Sequence, residues 1–178
     1  MARAYIGLGS NLGDGPGNLL IAWHTLGQVG GVSLLALSRP FRTRPEPKPE
    51  WLAAGRMVGE QFFTNAVGVL ETSLPPLALL ATLQKIEAAM GRDRARTVDR
   101  PVDLDLLYYD DLVLSEAVLI LPHPEIANRR YVLVPLAEVT PEFRHPRLHL
   151  SSRQMLAMLP AATPGEIETL SWPEGEKV

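Results

Sequence analysis

The chain has 178 residues, of which 46% are hydrophobic and 21% charged, with a formal net charge of -3 and no cysteine. This length and composition are typical of one globular domain with a sizeable core, and they exclude disulfides, thiolate metal sites and a global basic field for nucleic acid. Neither a signal peptide nor an apolar run long enough for a bilayer is evident, so a cytoplasmic protein that binds neither nucleic acid nor membrane is expected.

The first part of the chain predicts a strand, a helix and two further strands. Arg3–Gly9 has the pattern of a buried strand, and a Gly-rich turn leads to a helix over Asn18–Val29. The stretches "VSLLALSRPF" and "EQFFTNAVGVLET" predict the second and third strands. Between them lies a long proline-rich loop, from about Thr43 to Gly59, of a length that often serves as a lid or binding loop.

The stretch "TSLPPLALLATLQKIEAAMG" predicts the second helix. Thr72 or Ser73 is expected to cap its start, and Gly91 is expected to end it. Residues at helical spacing should form its core face: Leu79, Leu83, Ile86 and Met90.

A basic loop, an aspartate-bearing strand, a tight turn at Asp110–Asp111 and a short strand "LVLS" follow. The remainder, up to "SSRQMLAMLP", is predicted mainly helical. This order predicts one α+β domain over residues 1–165, with a loosely held tail over residues 166–178. The expected architecture is a mostly antiparallel sheet flanked by helices on both faces, a three-layer α/β/α arrangement related to ferredoxin-like folds.

The stretch "RPVDLDLLYYDD" carries two aspartates on one predicted strand. Asp103 and Asp105 are two residues apart, so their side chains share a face, with Cα atoms roughly 6–7 Å apart. Such a pair can hold Mg²⁺, which prefers oxygen ligands, and two ions could together clamp a polyphosphate. For the bare triplet, an edge strand with solvated aspartates is the favoured alternative.

Basic residues near the pair strengthen the polyphosphate interpretation. Four arginines precede it in the loop: Arg92, Arg94, Arg96 and Arg100. Guanidinium groups bind phosphate oxygens in a bidentate manner. An internal salt-bridge network with Asp93 and Asp99 is an equally open alternative at this point. In "PHPEIANRR", His123 lies between two prolines and could donate a hydrogen bond to a phosphate, or it could be a surface residue of a turn.

The stretch "FFTNAVGV" pairs an aromatic ring with a carboxamide. Phe63 and Asn65 share one strand face, where a ring could stack on a flat heterocycle and an amide could bind its edge. Taken alone, an incidental polar residue in an ordinary strand is favoured. The other three histidines, His24, His145 and His149, are expected to be structural or solvent-exposed.

Five stretches together resemble one family, 6-hydroxymethyl-7,8-dihydropterin pyrophosphokinase of folate biosynthesis. They are "AYIGLGSNLGD", "FTNAVGVLET", "QKIEAAMGRDR", "RPVDLDLLYYDD" and "LPHPEIANRRYVLVPLAEVTPE", in the family's order and spacing. The resemblance runs from about residue 3 to about residue 160. It implies transfer of a pyrophosphoryl group from MgATP to the pterin hydroxymethyl group, with release of AMP.

The resemblance also implies roles for individual residues. Asp103 and Asp105 would hold two Mg²⁺ ions. The ATP-binding residues would be Gln84, Glu87, Arg92, Arg100, His123 and Arg129. Arg92, Arg94 and Arg100 would join the aspartates as catalytic residues, with Arg94 on a mobile loop. The pterin would be bound by Thr43, Arg44, Glu46, Phe63, Asn65 and Tyr131. The substrates would be ATP and 6-hydroxymethyl-7,8-dihydropterin, and a monomer is expected.

The chain also departs from the family pattern. Val98 and Asp99 replace a small residue and a proline, and the basic loop is about two residues shorter, without a tryptophan that packs on the pterin in some members. Pro124 follows the histidine where some members have tyrosine. Two apolar residues, Val118 and Ile120, stand where others have polar ones near the nucleotide.

Two other functional classes are open. A nucleotide-sugar glycosyltransferase also uses an Asp-x-Asp pair with a divalent metal, but would need a larger nucleotide-binding domain. A small-molecule-sensing α+β module with solvated aspartates is the non-enzymatic alternative.

Overall fold

The protein is an α+β structure, described here by a computed structural model over residues 1–44, 62–92 and 99–174. The strands are β1 (Ala2–Ser10), β2 (Val32–Leu37), β3 (Phe41–Thr43), β4 (Phe63–Thr72), β5 (Asp103–Tyr109), β6 (Leu114–Ser115), β7 (Ile120–Leu121) and β8 (Ile167–Thr169). The α-helices of the described residues are α1 (Gly15–Gly27), α2 (Pro76–Ala89), α3 (Arg130–Val139) and α4 (Ser152–Met158), with a 3₁₀ turn at Ile126–Asn128.

Six of the strands form one sheet in the order β5-β1-β4-β3-β8, with β2 also paired to β4. Every pairing in this sheet is antiparallel, so the predicted mostly antiparallel sheet is confirmed. The central strands β1 and β4 are long and rich in buried residues, as expected for strands covered on both sides. Strands β6 and β7 form a separate hairpin.

Each face of the sheet carries its own buried cluster. Alternate residues of β1 separate them, since Ala4, Ile6 and Leu8 belong to one cluster and Tyr5 to the other. The first cluster includes the inward faces of α1 and α2. The second includes buried residues of α3 and α4. The predicted core residues Leu79, Leu83 and Ile86 are buried in the first cluster, against which the half-buried Met90 packs.

The predicted start of the second helix is wrong, whereas its predicted end is confirmed. Helix α2 begins after Pro75, with no side-chain cap, because its first turn is set by prolines that fix φ. The hydroxyl of Thr72 instead accepts the Leu74 N–H at 3.0 Å, a turn at the end of β4. Gly91 follows the helix with a φ of 91°, the left-handed conformation that glycine adopts at helix ends.

The stretch predicted as one second strand is two strands. β2 ends at Leu37 and β3 begins at Phe41, with a break that contains Pro40, which has no N–H to donate. At the break, the hydroxyl of Ser38 accepts the N–H of Val67 at 3.0 Å and replaces a ladder bond. The predicted loop that follows lies mostly outside the described residues.

Part of the segment predicted as a tail is an edge strand. β8 pairs with β3, with Thr43 opposite Ile167. Glu166 ties this segment to α3, because its carboxylate accepts the Nε of Arg130 at 3.2 Å. In the described parts of the chain, no helix combines the length and apolar character that crossing a membrane requires.

Candidate active site

The two aspartates of β5 and the asparagine of β4 lie on one face of the sheet. Asp103 is directly opposite Gly9 of β1, and Gly9 is directly opposite Asn65 of β4. Directly opposed residues of antiparallel strands point to the same face. Asp105 lies two residues along the same row, opposite Gly7. The alternation that predicted a shared face for the two aspartates is therefore confirmed by the strand register.

Gly9 lies between Asp103 and Asn65 and has no side chain to fill the space between them. A Cβ at this position would lie 3.4 Å from Oδ1 of Asn65 and 3.8 Å from Cβ of Asp103. Because neighbouring strands are about 4.8 Å apart, the Cα atoms of Asn65 and Asp103 are about 10 Å apart across β1. The site residues predicted from the sequence do not include Gly9. A glycine inside a strand is nevertheless a sign that another group closely approaches the backbone.

Asp103 is held by two arginines. Nη2 of Arg100 lies 2.5 Å from its Oδ2, and Nη1 of Arg92 contacts its Oδ1. These side chains are largely buried, with exposures of 14% for Arg92, 27% for Arg100 and 15% for Asp103, so the ion pairs are screened less than surface pairs. These ion pairs join the arginines to Asp103 itself. The network with Asp93 and Asp99 that the sequence left open is not tested, because Asp93 lies outside the described residues.

The two aspartates differ in their electrostatic environment. Burial acts to raise the pKa of Asp103, but the charges of Arg100 and Arg92 outweigh it and lower that pKa below its ordinary value. The pKa of Asp105 is raised by burial and by the charge of Asp103, although the positive groups of His123, Arg100 and Arg129 oppose the shift. At Asp105, the nearby positive groups therefore only partly balance the negative charge of the aspartate pair.

Glu87 is an internal anchor of this cluster. Its side chain is 1% exposed, and its Oε1 accepts the N–H of Leu104 at 2.8 Å and Nη1 of Arg92 at 2.5 Å. The carboxylate thus joins α2 to the first residues of β5 and orients Arg92 towards Asp103. Gln84, one turn earlier, is exposed on the same helix. The resemblance implies that both residues bind the nucleotide. It does not imply the hydrogen bond by which Glu87 attaches α2 to β5.

His123 and Arg129 approach the aspartate face from the segment before α3. The N–H of His123 donates to the carbonyl of Leu107 at 2.9 Å, which attaches this segment to β5. Its Nδ1 accepts the N–H of Glu125 at 3.3 Å, which leaves Nε2 as the ring nitrogen that can donate a hydrogen bond. The guanidinium of Arg129 lies 5.7 Å from the ring centre of Tyr131 and 3.7 Å from the Glu125 carboxylate.

The asparagine side of the face combines a ring and an amide, as the sequence predicted. Asn65 is buried and donates from Nδ2 to Oγ1 of Thr43 at 2.8 Å. Phe63 is half-buried and directly opposite Thr43. The guanidinium of Arg100 lies 5.8 Å from the Phe63 ring centre, so this arginine reaches from Asp103 to the aromatic ring.

Arg44 is exposed, and its N–H donates to the carbonyl of Glu166 at 3.4 Å. Arg94, Arg96 and Glu46 lie outside the described residues. Burial lowers the pKa of His145, whose Nδ1 accepts two backbone N–H groups, consistent with its expected structural role. Within residues 1–44, 62–92 and 99–174, no group of three or more histidine, aspartate or glutamate side chains is arranged to hold a metal.

The site combines two carboxylates, several arginines and a histidine with an aromatic ring and a buried amide. This combination is typical of a transferase that binds a metal–polyphosphate next to a flat ring. The chain belongs to one family of such enzymes. The model of the family described as 7,8-dihydro-6-hydroxymethylpterin-pyrophosphokinase (HPPK) matches residues 5–141.

Curated relatives agree with this assignment. The chain is 38% identical over 143 residues to the 2-amino-4-hydroxy-6-hydroxymethyldihydropteridine pyrophosphokinase of Methylorubrum extorquens, a match that covers 80% of this chain and 85% of the relative. It is 32% identical over 161 residues to the folic acid synthesis protein fol1 of Schizosaccharomyces pombe, covering 89% of this chain and 20% of that protein.

Solved structures share the fold. The crystal structure of wild-type Plasmodium falciparum HPPK-DHPS with pteroate matches with a TM-score of 0.68 at 15% identity. The match covers 88% of this chain and 44% of that chain. The chain therefore spans less than half the length of these longer structures, and at this identity the likeness concerns the fold alone.

Proposed function

We propose that the protein transfers a pyrophosphoryl group from MgATP to the hydroxymethyl group of 6-hydroxymethyl-7,8-dihydropterin and releases AMP, in folate biosynthesis. The observation that carries this proposal is the row Asp103–Gly9–Asn65, which places a carboxylate and an amide on one face of the sheet, with their Cα atoms about 10 Å apart. Family membership supports the same reaction.

The nucleotide half of the site centres on the aspartates. Two hard carboxylates fit Mg²⁺, which commonly takes one or two carboxylates together with substrate phosphates, and the undercompensated charge at Asp105 favours a cation. In this proposal Asp103 and Asp105 hold two ions, which supply charge neutralisation on the phosphate oxygens. The residues proposed to contact ATP are Gln84, Arg92, Arg100, His123 and Arg129. Arg94 is proposed as a further catalytic residue, and Glu87 is proposed to act on the nucleotide side by orienting Arg92.

The pterin half centres on Asn65. Its amide can both donate to and accept from a pyrimidinone edge, and Thr43 holds it in a fixed orientation. In this proposal the pterin stacks between Phe63 and Tyr131. Pterin contacts are also proposed for Thr43, Arg44 and Glu46, the last of which lies outside the described residues.

The chain's own residues act by positioning and electrostatics. The pterin hydroxyl, oriented through Asn65, attacks the β-phosphorus in line. The bond between that phosphorus and the AMP oxygen breaks, and the hydroxyl proton is released to solvent. Arg92 and Arg100 neutralise charge that builds up on the phosphate oxygens, at the cost of their present contacts with Asp103. His123 donates from Nε2 to a phosphate oxygen, since its Nδ1 is already an acceptor.

The direct test is AMP formation from MgATP with the purified protein. AMP should form only when 6-hydroxymethyl-7,8-dihydropterin is present, and a 6-methyl analogue, which lacks the attacking hydroxyl, should give none. Release of UDP or GDP from a nucleotide sugar, without AMP formation, would instead favour the glycosyltransferase. ATP binding that is unaffected by Mg²⁺ in calorimetry, again without AMP formation, would favour the sensing module.

Asn65→Ala should raise the KM for the pterin by about 10- to 100-fold, because hydrogen bonds worth about 1–3 kcal/mol are lost at its edge. The KM for ATP should change little. The measurement is steady-state AMP formation with each substrate varied in turn. Thr43→Val is the comparison variant, since it removes the hydroxyl that holds Asn65 but leaves the amide itself, and it should have a smaller effect. An unchanged pterin KM in Asn65→Ala would contradict the assigned role.

We also propose a three-layer α/β/α architecture related to ferredoxin-like folds, which is supported by the two buried clusters on opposite sheet faces. A single pyrophosphokinase domain, a monomeric state and a cytoplasmic location stay predictions.

A further inference from the structure

Asn11, the residue after β1, is bonded to two residues that lie close to the aspartates. Its N–H donates to the carbonyl of Arg100 at 3.2 Å, and its Oδ1 accepts the N–H of Arg100 at 2.8 Å. Its Nδ2 donates to Oδ1 of Asp99 at 2.7 Å. One asparagine thus binds both backbone polar groups of Arg100 and the side chain before it.

The hydrogen bonds of Asn11 are shielded from water, so water cannot easily replace a lost partner. Asn11 is only 8% exposed, so a lost partner there would leave a buried amide without compensation. Asn11 donates one hydrogen bond to the backbone of Arg100 and accepts another from it. These two bonds fix the position and the orientation of the Arg100 backbone. The third bond prevents the amide group of Asn11 from turning away.

The held residue is the one that joins the two halves of the site. From this backbone position the Arg100 side chain reaches Oδ2 of Asp103 at 2.5 Å and lies 5.8 Å from the centre of the Phe63 ring. An arginine side chain is long and flexible, so its head group is placed reproducibly only if its backbone is fixed. Misplacement of a catalytic group by about 1 Å can lower a rate about 100-fold.

We propose that Asn11 is a positioning residue for Arg100, with Asp99 as its second anchor, and that this contact sets the phosphate-binding arginine between the metal-binding aspartates and the pterin ring. The inference rests on the proposed function, in which Arg100 binds the transferred phosphates. Asn11 itself touches no reacting atom.

The first experiment compares turnover of four variants in the AMP assay. Asn11→Ala should lower kcat at least about 10-fold with little change in either KM, and Asp99→Ala should lower kcat less. Asp99→Asn should retain near wild-type kcat, because its side-chain oxygen still accepts from Asn11. Asn18→Ala is the matched control, because Asn18 donates to the carbonyl of Leu12 in the same turn and has no hydrogen bond to Asp99 or Arg100 among the described contacts; its kcat should be unchanged.

The second experiment separates positioning from general loosening. If Asn11 acts through Arg100, then adding Asn11→Ala to Arg100→Ala should lower kcat no further than Arg100→Ala alone. A purely structural role would lower kcat by the same factor in both backgrounds, and this result would overturn the inference. Thermal unfolding of each variant identifies any that fail to fold, and Asp99→Ala and Asp99→Asn then carry the comparison.

The outcomes distinguish the two proposals. If the wild-type protein forms no AMP, the proposed function fails. If the wild-type protein is active and Asn11→Ala has the same kcat, or Asp99→Asn is as impaired as Asp99→Ala, the positioning role fails while the function stands.

Discussion

Asp103→Asn is expected to lower turnover by about 100- to 1,000-fold while the protein stays folded. The substitution keeps the shape of the side chain but removes the charge that would bind Mg²⁺, and losing one group of a preorganised charge-stabilising site commonly costs about 100- to 1,000-fold. The fold should survive because Glu87 still pairs with Arg92 and still accepts the N–H of Leu104. The measurements are kcat in the AMP assay and calorimetry of ATP binding with and without Mg²⁺.

A second aspartate near the same strand provides the control for this substitution. Asp111 is exposed in the turn after β5 and lies outside the aspartate pair. Asp111→Asn removes the same charge from the chain without reaching the site, so its turnover should equal that of the wild type. Turnover of Asp103→Asn close to the wild-type value would rule out the metal role of Asp103.

Gly68→Ala is expected to cause a large loss of stability, because it adds a methyl group beside a buried aromatic ring in the core. A Cβ at Gly68 would lie 2.3 Å from Cζ3 and 2.5 Å from Cη2 of Trp23, whose ring is part of the buried core. Trp23 is 3% exposed, so its ring can move only by displacing other core residues. Overpacking of a filled core costs about 1–3 kcal/mol and sometimes more, so we expect a loss near the upper end, about 3 kcal/mol. Chemical denaturation checks it.

Two further variants make this prediction specific. Gly30→Ala adds the same methyl group where no atom lies within 4 Å, so it should leave the free energy of unfolding nearly unchanged. Trp23→Leu removes the ring, so the cost of Gly68→Ala should be much smaller in that background than in the wild type. Equal costs in both backgrounds, or no loss in Gly68→Ala, would contradict the assigned clash.

Local periodicity was sufficient to predict most elements and one essential feature of the site. The alternation along β5 placed Asp103 and Asp105 on the same face, and the pairing register bears this out. Helical spacing likewise identified the buried face of α2. These predictions succeed because the direction of a side chain within a strand or helix depends on the conformation of that element alone.

Two predictions failed where a residue or segment has the local pattern of one structure but pairs with a distant strand instead. Thr72 has the chemistry of a helix cap, yet it belongs to the last pair of β4 and bonds within a turn there. The acidic segment after residue 165 has the composition of a tail, yet β3 provides an edge with which Ile167–Thr169 pairs. Composition does not indicate whether a partner edge is available.

By itself, the sequence determined the period of each element, the family and the shared face of the two aspartates. Only the tertiary structure decided that Gly9 separates Asp103 from Asn65, that Glu87 is an internal anchor, and that Asn11 holds Arg100 from 89 positions away. The physical reason is that these contacts depend on strand register and on the packing of distant segments. Neither is encoded in the order of neighbouring residues, because each forms only when the whole sheet and the helices against it assemble.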